Sequence, residues 1–234
     1  MSVGVSIRRG STIQLKGESE KILSDASPSK TFALKPDNFL GIVPRMMVKE
    51  GERIAQGSPV FHSKKDPRIL FVSPVSGTIK EVVRGAKRKI LKIIIEEQDG
   101  EHIAHKIPVD KSLNRESVTE ILLKSGAWPF IKQRPYGITA DPDVTPKAIY
   151  TSTYASAPLD VDFQFLLKNN KDDFQKGINI LNTLTDRPTI LSIDATFSGF
   201  FENVKGVELL RINGPHPAGN VSVQIHKHMP INMG

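Results

Sequence analysis

The chain has 234 residues and is 38% hydrophobic, enough to bury the core of one large domain or two smaller ones without metal or cross-link support. It has no cysteine, which excludes disulfides, zinc–thiolate sites, iron–sulfur ligation and a thiol nucleophile within the chain, and fits a reducing compartment. The net charge of +7 admits anionic partners, no run of about 18 apolar residues is present to span a bilayer, and residues 1–10 lack the apolar stretch of a secretory signal.

Val3, Val5 and Ile7 alternate with Gly4 and Ser6 and predict a short edge strand. Residues 31–34 read as a strand, and Asp37-Asn38-Phe39-Leu40-Gly41 as a turn. Lys49-Glu50-Gly51 turns the chain into a strand over 54–61; strands at 69–72 and 78–83 follow, parted by Ser76-Gly77. Gly85 suits a positive φ in the tight connection 84–87. The β-branched run 90–96 predicts another strand, and Gln98-Asp99-Gly100-Glu101 a hairpin-type turn. Near residue 112 the character changes. Residues 112–125 predict a helix capped by Ser112 or Asn114, with Val118, Ile121, Leu122 and Ser125 on one face and Gly126 as the stop. Residues 134–146 hold three prolines and read as a loop, and residues 148–152 as a buried strand ending in small polar residues. Helices are predicted at 163–170 and 172–183, the second with Phe174, Ile178 and Leu181 on one face, and strands at 189–193 and 207–212. The expected fold is mixed α+β: a barrel-sandwich β domain over residues 1–108, then an open α/β, Rossmann-like domain over 109–234.

The block Lys49-Glu50-Gly51-Glu52 with Gly57, followed by Ser73-Pro74-Val75-Ser76-Gly77, resembles the lipoyl- or biotinyl-carrying barrel. A carrier needs a lone lysine at the hairpin tip, in a Met-Lys-Met or Asp-Lys-Ala setting. Here the tip reads His62-Ser63-Lys64-Lys65-Asp66-Pro67, so the module reads as scaffold. A free-standing carrier or binding module modified at Lys64 or Lys65 is the alternative.

Two constellations stand out. Gly214-Pro215-His216-Pro217-Ala218-Gly219 follows the last α/β strand, where such sheets place ligands, and is the candidate ligand-facing loop; the competing reading is a structural bend. Arg84, Lys87, Arg88, Lys89 and Lys92 cluster within nine residues and are the candidate contact for a protein partner or lipid headgroup, against a plain solvated face. Nucleic acid is not the expected partner: no aromatics interleave with the cluster, and residues 160–173 are acidic. His226 and His228 would share a face if 221–228 were a strand and could then join His216 at a metal, but no fourth ligand is placed nearby, so no metal is expected. Neither GxGxxG nor GxxxxGK[ST] occurs, so the α/β half lacks the usual phosphate cradle. Asp194 reads as a turn former before a ribose ligand, and no GxSxG elbow or catalytic carboxylate pair is present.

Several motifs occur together in order: Lys49-Glu50-Gly51, Ser73 to Gly77, Arg84-Gly85-Ala86-Lys87-Arg88, Thr145-Pro146-Lys147-Ala148-Ile149, Leu181 to Asp186, and Gly214 to Gly219. This set resembles the NqrA family, a component of the bacterial Na+-translocating NADH:quinone reductases, from about residue 30 onward. The resemblance implies a hydrophilic subunit on the cytoplasmic face of the inner membrane, docked on the other subunits of the complex and above all on its membrane component B. It also implies an α/β domain similar to the NADH-binding subunit of respiratory complex I but without its glycine-rich loop. No cofactor would be covalently bound here. Ubiquinone or menaquinone would be the ligand, with NADH, flavins and the iron–sulfur centre on other subunits; no catalytic residue is assigned. The family continues beyond residue 234, so the chain is expected to be truncated at its C-terminus.

Overall fold

A computed structural model describes residues 3–17, 19–105 and 113–232. They form two compact units, Asp25–Val144 and a second made of Met1–Ser24 with Thr145–Gly234. The first strand, β1 (Val3–Ser6), belongs to the latter.

In the β unit, β2 (Thr31–Leu34), β3 (Pro44–Met46), β4 (Arg53–Ile54), β5 (Pro59–Ser63), β6 (Leu70–Val72), β7 (Gly77–Arg84) and β8 (Ile90–Glu97) build two antiparallel sheets. Their orders are β2-β8-β7-β4 and β3-β5-β6. Strand alternation fills the core: Ile93 and Ile95 of β8 are fully buried, while Glu96 and Glu97 are exposed. Ile79 faces Ile95 across the β7–β8 ladder, and Phe61 stacks on Phe71 with centroids 4.4 Å apart. Each fully buried isoleucine contributes about 1.5–3 kcal/mol of transfer free energy.

Three local expectations change here. The strand expected over 54–61 breaks at Ala55-Gln56-Gly57, giving β4 and β5 in different sheets. The segment after β8 does not form a hairpin; Gln56 and His102 instead make an isolated parallel bridge. Gly85 is extended (φ −101), and the left-handed positions of the connection fall on Lys87 (φ 53) and Arg88 (φ 61).

Helix α1 (Arg115–Lys124) starts at Asn114, whose side chain accepts from Ser117 N at 2.9 Å and completes a capping box with the Ser117 hydroxyl. The alternative cap, Ser112, lies outside the described residues, as does the domain cut at 108/109. Residues 113–144, expected in the α/β half, pack within the β unit. Trp128 is buried and donates from Nε1 to Ala140 O at 2.9 Å, anchoring the small hairpin of β9 (Lys132–Gln133) and β10 (Ile138–Thr139).

The α/β unit contains β11 (Tyr150–Ser152), α2 (Phe163–Leu166), α3 (Lys171–Asn182), β12 (Thr189–Asp194), β13 (Val207–Asn213) and α4 (Val221–His228). Its sheet is wholly parallel in the order β1-β13-β12-β11. The edge strand foreseen at the N-terminus is therefore an edge of this sheet, not of the β unit; β1 supplies main-chain hydrogen bonding that β13 would otherwise lack on that side. One face packs Ile190, Leu210 and Ile212 against Val223 of α4. The other packs Leu191, Ile193 and Phe201 against Phe163 and Phe174. The helix expected over 163–170 closes after one turn, with Asp162 capping Phe165 N at 3.0 Å.

Candidate functional site

All four strands of the parallel sheet end at one edge, and the chain leaves that edge in two directions. After β12 it passes through Phe197, Phe200 and Phe201 on the α3 face. After β13 it passes through Ala218 into α4 on the opposite face. Adjacent parallel strands whose connections diverge in this way open a crevice at their carboxyl ends, the usual ligand position in such sheets. Residues 214–219 leave the sheet at that edge, directly after β13.

Backbone packing fixes this loop. Gly214 has φ +147, and a Cβ there would lie 2.2 Å from Ile7 O; at Gly10 (φ +152) a Cβ would lie 2.1 Å from His216 O. Only glycine lets the two segments meet this closely. Ile7 N donates to Asn213 O at 2.8 Å and Ser11 N to His216 O at 2.9 Å, so the run after β1 is sewn along the loop. Within it, Ala218 N bonds Pro215 O and Asn220 N bonds Pro217 O, both at 2.9 Å, and Ala218 is fully buried.

Side chains after β11 and on α4 also hold the loop. Tyr154 donates its hydroxyl to Gly214 O at 2.6 Å. Burial pushes its phenol pKa up, and the Asp194 charge adds to this. Ser156 Oγ accepts from Gly219 N at 2.7 Å and lies 3.3 Å from His216 Nδ1. Gln224 of α4 is fully buried; its amide nitrogen reaches Ser152 Oγ (3.2 Å), Ala218 O (3.1 Å) and Gly219 O (3.3 Å), and its Oε1 has no partner among the described residues. None of Tyr154, Ser156 or Gln224 stood out in sequence. The small polar end of β11 was the only available signal for the first two.

The three histidines do not gather. Residues 221–228 are helical, so His226 and His228 do not share a face and lie in the last turn of α4, whereas His216 precedes its first. The β-branched Val221, Val223 and Ile225 suggest a strand, but Val221, Gln224, Ile225 and His228 turn inward at helical spacing while Ser222, His226 and Lys227 are exposed. Among the described residues no group of three or more His, Cys, Asp or Glu could hold a metal ion. His228 instead bridges Tyr150 and Glu208: Nδ1 is 2.8 Å from the tyrosine hydroxyl and Nε2 is 3.3 Å from Glu208 Oε1. Burial, reinforced by the Glu208 charge, pushes the Tyr150 pKa to about 12. Asp194 uses Oδ1 to accept from Thr196 N (2.7 Å) and Thr196 Oγ1 (2.6 Å), which makes it a turn former.

The basic cluster lies in the β unit, around the β7–β8 connection. Arg84, Lys87, Arg88 and Lys89 are exposed and Lys92 is half-buried. Lys89 pairs with Asp37 Oδ2 at 2.8 Å, and Arg84 Nη1 donates to Arg88 O at 3.3 Å.

Residues 5–98 match the NqrA N-terminal barrel-sandwich hybrid domain, and residues 113–234 match the NqrA second alpha/beta domain. The chain belongs to the NqrA family. Relatives named as the A component of Na(+)-translocating NADH-quinone reductase include those of Neisseria gonorrhoeae (strain NCCP11945), 30% identical over 230 residues, and Pasteurella multocida, 28% identical over 231 residues. Each alignment covers 97% of this chain and 52% of the relative. The protein of that name from Rhodopirellula baltica is 31% identical over 234 residues, 97% of this chain and 51% of its own. The chain thus spans about half the length of the curated NqrA relatives it matches. The two NqrA matches follow the order of a barrel-sandwich domain then an α/β domain. The spatial division differs: residues 113–144 fall in the second match but pack with the β unit. Among the described residues, no helix is long and apolar enough to cross a membrane.

Proposed function

We propose that this chain is part of the hydrophilic subunit of a Na+-pumping NADH:quinone oxidoreductase, where it acts as scaffold and contributes residues 214–219 to a quinone site. NADH, flavins and the iron–sulfur centre reside on other subunits, and this chain supplies shape and hydrogen bonding. The absence of cysteine supports this division, because the chain has no thiolate for an iron–sulfur centre. The α/β unit is read as built on the plan of the NADH-binding subunit of complex I, without its glycine-rich loop. The subunit sits peripherally on the cytoplasmic side of the bacterial inner membrane, docked on membrane component B of the complex, with ubiquinone or menaquinone as ligand and no nucleic-acid partner. The carrier alternative at Lys64 or Lys65 is not favoured, since relatives matching 97% of the chain share the name of the reductase component.

One observation carries the ligand assignment: the 214–219 loop is held rigidly at the carboxyl edge where the connections after β12 and β13 part to opposite faces. The test is titration of a water-soluble ubiquinone analogue into the isotope-labelled chain, followed by heteronuclear NMR. Saturable shifts centred on His216, Ala218 and Gly219 are expected. Saturating analogue without shifts there removes the loop as a quinone element of this chain.

A further inference from the structure

We infer that Ser156 is a positioning residue that holds neutral His216 in the tautomer protonated on Nε2, so that the loop offers a hydrogen-bond donor to the neutral carbonyl oxygen of a quinone. This rests on the proposed reading of residues 214–219 as the quinone-facing element.

A serine hydroxyl has one proton and two lone pairs. The Gly219 N–H, 2.7 Å away, takes one lone pair of Ser156. Among the described residues the acceptor within reach of the Ser156 proton is His216 Nδ1, at 3.3 Å. A neutral imidazole has one N–H and one bare nitrogen, and the bond made by one nitrogen decides which is which. With Nδ1 accepting from Ser156, the proton resides on Nε2, and Nε2 has no partner among the described residues.

The geometry around the ring is fixed independently. Ser11 N holds the His216 carbonyl at 2.9 Å, Gly10 packs against the same oxygen, and Ala218 N closes the turn on Pro215 O at 2.9 Å. Ser156 thus ties two points of the loop, the Gly219 amide and the His216 ring, to the chain leaving β11. The half-buried ring carries an unspent donor on a backbone that does not have to reorganise. Such a donor suits a carbonyl oxygen, and suits it better as negative charge builds there on reduction.

The experiment uses the 234-residue chain labelled with 15N-histidine, at a pH where the imidazoles are neutral. Two-bond proton–nitrogen correlations read the His216 tautomer directly. The parent is expected to show Nε2 protonated and Nδ1 bare, Ser156→Ala a mixture, and Ser156→Thr, which keeps the hydroxyl, the parent pattern. A parent protonated on Nδ1, or an unchanged tautomer in a folded Ser156→Ala, overturns the assignment. Should Ser156→Ala not fold, the parent and Ser156→Thr spectra still decide. Binding of a short-chain ubiquinone analogue is expected to weaken about two- to tenfold in Ser156→Ala, the usual worth of one hydrogen bond, and to recover in Ser156→Thr. Equal affinity of the parent, Ser156→Ala and His216→Phe, with the tautomer as inferred, overturns the quinone role of the loop and leaves only the positioning of His216 by Ser156.

Discussion

Replacing Gly214 by alanine places a Cβ 2.2 Å from the Ile7 carbonyl oxygen, at a residue whose φ of +147 side chains rarely adopt. Neither partner is a flexible side chain, so relief requires the backbone of the β1 edge to move away from β13. The backbone strain alone is of order 1–3 kcal/mol. Displacing the edge also stretches the Ile7 N to Asn213 O bond, worth about 0.5–1.5 kcal/mol. It re-exposes part of Ile7, which is 5% exposed and whose full burial is worth about 1.5–3 kcal/mol. A loss of about 3–5 kcal/mol is expected, a large share of the roughly 5–15 kcal/mol that holds a typical domain. At about 2–4 °C per kcal/mol, the melting midpoint should drop by roughly 10 °C. Gly4→Ala is the internal control: it lies in β1, and a Cβ there meets nothing within 4 Å. Its stability should stay within about 0.5 kcal/mol of the parent. The assay is thermal melting by far-UV circular dichroism, with amide exchange at Ile7 as the local readout. A Gly214→Ala midpoint matching that of Gly4→Ala, with the Ile7 amide still protected, would refute the argument that backbone contact holds this loop.

Gly177 lies inside α3 and a Cβ there meets nothing within 4 Å, so Gly177→Ala should stabilise the α/β unit by about 0.5–1 kcal/mol, read as a raised melting midpoint. The pair Lys87→Asn with Arg88→Gly puts turn-favoured residues at two left-handed positions and should stabilise the β unit by about 1–2 kcal/mol in urea unfolding, whereas Lys87→Glu with Arg88→Glu keeps the strain and, if the proposed docking uses this cluster, should reduce co-purification with the proposed membrane partner. Tyr150 has its folded pKa raised from 10.0 to about 12, so its contribution to stability is present below pH 10 and lost as pH climbs toward 12. Tyr150→Phe should therefore flatten the fall in stability between pH 10 and 12 and remove a tyrosinate step near pH 12 in ultraviolet titration; an unaltered titration curve would contradict the burial argument.

The β unit was legible because its signals are local. Alternation over β7 and β8 decides which isoleucines are buried, and the Ser76-Gly77 turn marks where one strand ends and the next begins. Helix α1 was legible for the same reason: Asn114, Ser117 and Gly126 carry its ends in their own side-chain chemistry. The partner of β1 was not legible. An alternating tetrad states that a strand exists but not which sheet accepts it, and its partner β13 lies about two hundred residues away. The left-handed pair Lys87-Arg88 was missed because propensity favours the adjacent Gly85, whereas the closing geometry of the β7–β8 ladder, with its register shift at Arg84, decides which residues turn.

The candidate site shows the same boundary between local and nonlocal information. Residues 214–219 are conspicuous in sequence because glycine and proline constrain the backbone wherever they occur. What makes them a candidate wall for a ligand is supplied from elsewhere: Ile7 and Gly10 from the chain's first residues, Tyr154 and Ser156 from the exit of β11, and Gln224 from α4. Residues 221–228 carry no decisive signal for strand or helix in sequence, which hid this last partner. In a strand, Gln224 would be one more alternating polar residue. In a helix crossing under the loop, it becomes the fully buried donor to Ala218 O and Gly219 O. The helix is required by topology against local propensity, since β13 lies between two parallel neighbours and the chain beyond it must cover the Ile190–Leu210–Ile212 face. The three histidines that a strand would have brought toward one metal are then parted by α4: His226 and His228 lie in its last turn, where His228 bridges Tyr150 and Glu208, and His216 stands before its start with one ring nitrogen unspent among the described residues.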